Sequence, residues 1–142
     1  MQTIHITDLP PNEAKTETFL GGAVSVVSHS GLHAAETLLI ESLARLHAPA
    51  SLLIAGNRTG AAAMAAAERF PDCALTCHVF DMPHARATLR NLAANGFAFD
   101  FSHDPFVSTA GNKVPNPASE KARRIRVACT SAIPAGPYDA AL

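Results

Sequence analysis

Between Ser51 and Gly96 the hydrophobic positions switch between two spacings, and each switch marks an element boundary. Leu52 to Ala55 is a short continuous apolar run, the pattern of a strand buried on both faces. Gly56-Asn57-Arg58-Thr59-Gly60 interrupts it with a tight turn. Ala61 to Phe70 is alanine-rich, lacks proline and predicts a helix, which Pro71-Asp72 stops. Leu75 to Phe80 predicts a second strand, with Asp81 at its carboxyl end. Pro83 fits a first helical turn, and Ala85 to Asn95 predicts a second helix closed by Gly96. Strand, helix, strand in this order predicts a parallel unit with a right-handed crossover.

The flanks are shorter and less regular. Ile4-His5-Ile6 fits a short strand followed by a turn at Asp8-Leu9-Pro10-Pro11, or a loose arm. Phe19 to Val27 fits a strand or hairpin arm. Ser30 is the expected N-cap of a helix through Leu46, with Ala35, Leu38, Leu39, Leu43 and Leu46 near one face. Phe97, Phe99 and Phe101 alternate with Ala98 and Asp100, as in a short strand. Ser108 to Pro117 has the composition of a loop. Ile125 to Cys129 predicts another strand, ended by Thr130 and Ser131. Pro134 to Pro137 predicts a turn, and Tyr138 to Leu142 the start of a further strand.

Parallel sheets bind ligands outside the carboxyl ends of their strands. The glycine turn would place backbone N–H groups and a helix N-terminus there. Gly56 and Gly60 lack a Cβ and would let a ligand approach the backbone. Asp81, 21 residues after Gly60, is positioned to accept the hydroxyls of a ribose. Together these suit an adenosine-type ligand, although a GxxxG turn alone is as readily a plain strand-to-helix connection. A P-loop needs a lysine after its last glycine; Ala61 stands there, which argues against an NTPase. The GxGxxG fingerprint is not met, which argues against a nicotinamide-dependent reductase.

The Gly56–Gly60 turn and Asp81 resemble the first motif and the following acid of class I S-adenosylmethionine-dependent methyltransferases. Three more segments are similar to the ribosomal RNA small-subunit methyltransferase C type, guanine-N2 methyltransferases with a small methyltransferase domain. They are Ser30-Gly31-Leu32-His33 with the helix Ala35 to Leu46, His84 to Gly96, and Gly136 to Leu142. The resemblance runs from Gly31 to Leu142 with a break near residues 100–120. It implies an α/β three-layer sandwich, a Rossmann-like methyltransferase fold with a mainly parallel sheet, present in part. Residues 1–29 would be an N-terminal segment able to cover the cofactor pocket, and 30–142 the cofactor-binding half of the domain.

The implied cofactor is S-adenosyl-L-methionine, with Gly56, Asn57, Thr59 and Gly60 at its methionine and ribose end. Asp81 would take the ribose hydroxyls, while Met82 would flank the adenine and Thr130 lie near its amine. The implied activity is methyl transfer to RNA, at a guanine exocyclic amine of ribosomal RNA. The sequence also departs from the family. Ile54 replaces the acid before the first glycine, and Arg58 replaces the middle glycine. Asn57 to Gly60 is closer to the degenerate, non-binding domain at the N-terminus of such proteins. The catalytic Asn-Pro-Pro motif would follow Leu142, so no catalytic residue is assigned. The alternative expectation is therefore a non-catalytic module that aids folding or RNA positioning. A second chain or domain completing the sheet is a further implied partner.

Composition narrows this little. The chain has 142 residues, 48% hydrophobic and 16% charged, enough for one core. A net charge of −1 gives no overall footprint for RNA. The cluster Lys121, Arg123, Arg124 and Arg126 is the best candidate for phosphate contact, against the usual reading of solvated surface. Arg86 and Arg90 read as a solvated face. No signal peptide or membrane span is expected. Cys73, Cys77 and Cys129 form no disulfide framework, which fits a reducing cytoplasm. His29 and His33 lack a third ligand, and Cys77 and His78 would point to opposite strand faces, so no metal is expected.

Overall fold

Two sheets enclose a layer of helices. The computed structural model describes residues 2–6, 15–28, 31–104 and 124–142. The larger sheet contains β4 (Ser51–Ile54), β5 (Ala74–Val79), β6 (Ala98–His103), β7 (Arg124–Cys129) and β8 (Ala140–Ala141). Its order is β6-β7-β5-β4-β8, and every neighbouring pair is parallel. Helices α2 (Ala61–Arg69) and α3 (Met82–Ala94) follow β4 and β5. This is a mixed α/β, Rossmann-like sheet, and an incomplete one.

The smaller sheet contains β1 (Gln2–Ile6), β2 (Lys15–Phe19) and β3 (Val24–Ser28) in the order β1-β3-β2. β1 runs parallel to β3, and β2 antiparallel to it. The sheet packs on α2 and α3, and Ile4, Ile6, Phe19, Val24 and Val26 join the same core as β4, β5 and β7. The described strands of the N-terminal segment therefore lie on the helices rather than over the carboxyl ends of the larger sheet. Asn95, at the end of α3, fixes this packing. Its side chain accepts from the His5 N–H (2.9 Å) and donates to the His5 carbonyl (2.8 Å), as a neighbouring strand would.

Helix α2 explains its own sequence. It touches β1 and β3 on one side and β5 on the other, and every residue from Ala61 to Ala67 is buried. A helix without a solvent face has no use for a polar stripe. Alanine also keeps the helix thin enough to approach both sheets. Met64, the single large residue of that run, is a flexible filler suited to an irregular gap.

Several boundaries differ from the sequence expectation. The helix before β4, α1 (Ala34–Ser42), is shorter and tightens into a 3-10 turn over Leu43–Arg45. His33 caps it, its Nδ1 accepting from the Ala35 N–H at 3.2 Å; the expected cap, Ser30, lies outside the described residues. Leu38, expected on the buried face, is 64% exposed. Helix α3 begins at Met82 rather than Ala85, because Asp81 caps it and Pro83 occupies its first turn. Phe19 to Val27 is broken by a 3-10 turn at Leu20–Gly22. Tyr138 to Leu142 contributes only the two residues of β8. The loop 108–117, His29, Lys121 and Arg123 lie outside the described residues.

Candidate functional site

The carboxyl ends of β4 and β5 bring the expected residues together. After β4 the chain turns at Gly56, whose φ of 69° suits glycine. Asn57 is 2% exposed and fastens the two strand ends. Its backbone N–H donates to the His78 carbonyl (3.0 Å), and its Nδ2 donates to the carbonyls of Ile54 (2.7 Å) and His78 (3.1 Å).

The rest of the turn is held by a residue the sequence reading passed over. Glu36 of α1 is 1% exposed. Its Oε1 accepts from the Thr59 N–H (2.8 Å), the Thr59 hydroxyl (2.7 Å) and the Arg58 N–H (3.3 Å). Asn91 of α3 donates to the Thr59 carbonyl at 3.0 Å. Gly60 begins α2 at φ 82°, and a Cβ there would lie 2.9 Å from Thr88 Cγ2. At Gly56 a Cβ would meet the Phe80 ring at 3.7 Å. The absence of Cβ atoms, expected to admit a ligand, here admits Thr88 and gives the backbone positive φ. Asn57, Thr59 and Gly60 shape the framework of the turn through contacts within the chain.

The end of β5 is different. Asp81 is exposed at the rim, with a side chain 49% accessible. Oδ1 accepts from the His84 N–H (2.9 Å) and caps α3, while Oδ2 meets His84 Nδ1 at 2.7 Å. Partial burial pushes its carboxyl up, but the two His84 hydrogen bonds and the charges of His84 and Arg58 outweigh this and hold it below the usual range. Met82 does not flank this rim. As the first residue of α3 it turns inward and is 5% exposed within the core. The accessible neighbour is Phe80, 59% exposed, its ring edge-on to buried His78 at 4.5 Å.

Thr130, at the end of β7, is half-buried. Its carbonyl accepts from His78 Nε2 at 2.9 Å, and its hydroxyl donates to the Ala132 carbonyl. The end of β6 adds a second acid. Asp104 Oδ2 accepts from the Ser131 N–H (2.7 Å) and hydroxyl (3.0 Å), bonds that hold this carboxyl below its ordinary value. Burial, and then the charges of Asp81 and Asp104, push the Cys129 thiol up. The signal for Asp104 was available: it follows the carboxyl end of a strand, as Asp81 does. The rim thus offers two ionised carboxylates, hydroxyls and one exposed ring. It can accept hydroxyl donors and stack a flat group.

Arg126 is exposed on β7 between its register neighbours Thr76 and Asp100. The strand alternates there, so it lies on the sheet face away from α2 and α3. Among the described residues no group of histidine, cysteine and acid side chains could hold a metal ion, and no helix is long and apolar enough to cross a membrane. Comparison with family models, curated proteins and solved structures gives no match.

Proposed function

We propose that this chain is the cofactor-binding half of an S-adenosylmethionine-dependent methyltransferase. The observation that carries the reading is Asp81: an ionised, exposed carboxylate at the carboxyl end of the strand beside the glycine-turn strand. An ionised carboxylate in that place accepts a vicinal diol, and the Phe80 ring next to it suits a nucleobase. These two residues fit the nucleoside part of the cofactor. Gly56, Asn57, Thr59 and Gly60 support the site from beneath, and Thr130 closes its far side. When bound, the cofactor supplies an electrophilic methyl group. The acceptor in this reading is an RNA base, a guanine amine of ribosomal RNA, acted on in the cytoplasm, with a further chain or domain completing the sheet.

Calorimetric titration with S-adenosylmethionine and S-adenosylhomocysteine tests the reading. Saturable binding by the wild type and at least tenfold weaker binding by Asp81→Ala, about 1.4 kcal/mol, is the expected result. A folded wild type that binds neither compound defeats it.

A second reading is favoured by Glu36. A turn whose Asn57, Arg58 and Thr59 N–H groups already bond within the chain suits a methyltransferase-like module that binds no cofactor and assists folding or RNA positioning. The same titration separates the two.

A further inference from the structure

We infer that Glu36 is the resident anion of the glycine turn, and that it decides which ligands the turn admits. The N–H groups of Arg58 and Thr59, in the turn just before α2, form the kind of backbone arrangement that elsewhere cradles phosphate or carboxylate groups. Here a carboxylate from α1 sits in that place, with bonds of 2.7, 2.8 and 3.3 Å to one oxygen. The side chain is 1% exposed. Its second oxygen, Oε2, is buried without a hydrogen-bond partner among the described residues, which leaves it acceptor capacity to spare. Cys77, buried beneath, has its thiol pushed up first by burial and then by the charge of Glu36.

The consequence is a ligand class. A phosphate or carboxylate cannot enter an occupied seat, and a second anion beside a buried carboxylate is repelled in a medium of low dielectric. The turn therefore excludes nucleotides that would place a phosphate there. Glu36 also ties α1 to the turn, so the seat empties only if α1 withdraws. Both consequences hold whatever ligand the Asp81 rim takes.

Chemical rescue tests this directly. Glu36→Ala removes the resident carboxylate and leaves space for a small one. Thermal unfolding of wild type, Glu36→Ala and Glu36→Gln is followed against formate and inorganic phosphate, with chloride at matched ionic strength. Glu36→Ala is expected to melt about 5–10 °C lower than wild type, since it leaves buried donors unpaired. Formate should restore much of that loss saturably, and chloride should not. Wild type and Glu36→Gln, whose seats remain filled, should respond to formate and phosphate no more than to chloride. Saturable phosphate binding by wild type overturns the inference. So does a formate effect on Glu36→Gln as large as on Glu36→Ala, or a folded Glu36→Ala that formate leaves unchanged. If Glu36→Ala does not fold, the titration is read by circular dichroism. Refolding in formate but not in chloride then supports the inference, and failure to refold overturns it.

Discussion

β4 and β5 are neighbours in one sheet, yet their carboxyl ends are finished in opposite ways. At β4 the features that looked open meet side chains of the chain itself: Glu36 takes the Arg58 and Thr59 N–H groups, Phe80 stands over Gly56, and Thr88 fills the space before Gly60. At β5 the carboxylate stays at the surface and is held ionised. A glycine turn in a sequence reports a backbone conformation. Whether a ligand or the protein itself uses the resulting donors depends on residues far away in the chain, here on α1.

The contrast can be broken first at Glu36. Glu36→Ala should cost about 2–4 kcal/mol, because buried donors lose a charged acceptor. Asp81→Ala removes an exposed helix cap and should cost about 1 kcal/mol. Urea denaturation measures both, and equal losses would erase the distinction between the two strand ends.

The two glycines come next. Gly60→Ala meets Thr88 Cγ2 at 2.9 Å and also carries a positive φ; a loss of about 2–3 kcal/mol is expected. Gly56→Ala has only the positive φ to overcome, since its Cβ would sit at an ordinary 3.7 Å from Phe80. About 1 kcal/mol is expected there. A reversed order would mean that Thr88 does not press on the turn.

A smaller effect follows from pH. The folded-state carboxyl of Asp81 is lowered from its ordinary 3.8. Its contribution to stability is therefore complete above that value and disappears as pH falls through the lowered one. Asp81→Asn should melt below wild type near neutral pH, and the gap should close in strong acid. A gap that widens as pH falls would contradict the His84 pairing.

Phe80→Ala should have the smallest effect on stability, within about 0.5 kcal/mol, because the ring is mostly exposed. Its effect should appear instead as weaker nucleoside binding in the calorimeter.

Much of the larger sheet was legible because its signals are local. Apolar runs, the Gly56–Gly60 turn, Pro71 and Gly96 each act within a few residues, and β4, α2 and β5 lie where those signals put them, within a residue or two at each end. Of the residues expected at a site, Asp81 stands exposed at the end of β5, where the sequence put it. Asn57 and Thr59 also bond within the chain, and those partners, Ile54, His78 and Glu36, are set by tertiary packing that the sequence does not display. Glu36 did leave a trace. Glu36, Leu39, Ile40 and Leu43 follow the helical spacing of the buried stripe, and the acid stands where an apolar residue would be expected. Met82 was misplaced because Asp81 starts α3 three residues early and turns the next side chain inward. The alanine-rich α2 implied close packing, but nothing near it in sequence named the second sheet as its cover.

The most direct test of the contrast is backbone amide mapping by NMR during titration with S-adenosylhomocysteine. An open β5 end and a closed β4 end predict saturable shifts at Phe80, Asp81, His84 and Thr130. The amides of Arg58 and Thr59, committed to Glu36, should stay in place. Shifts centred on Arg58 and Thr59, or none anywhere, would contradict it.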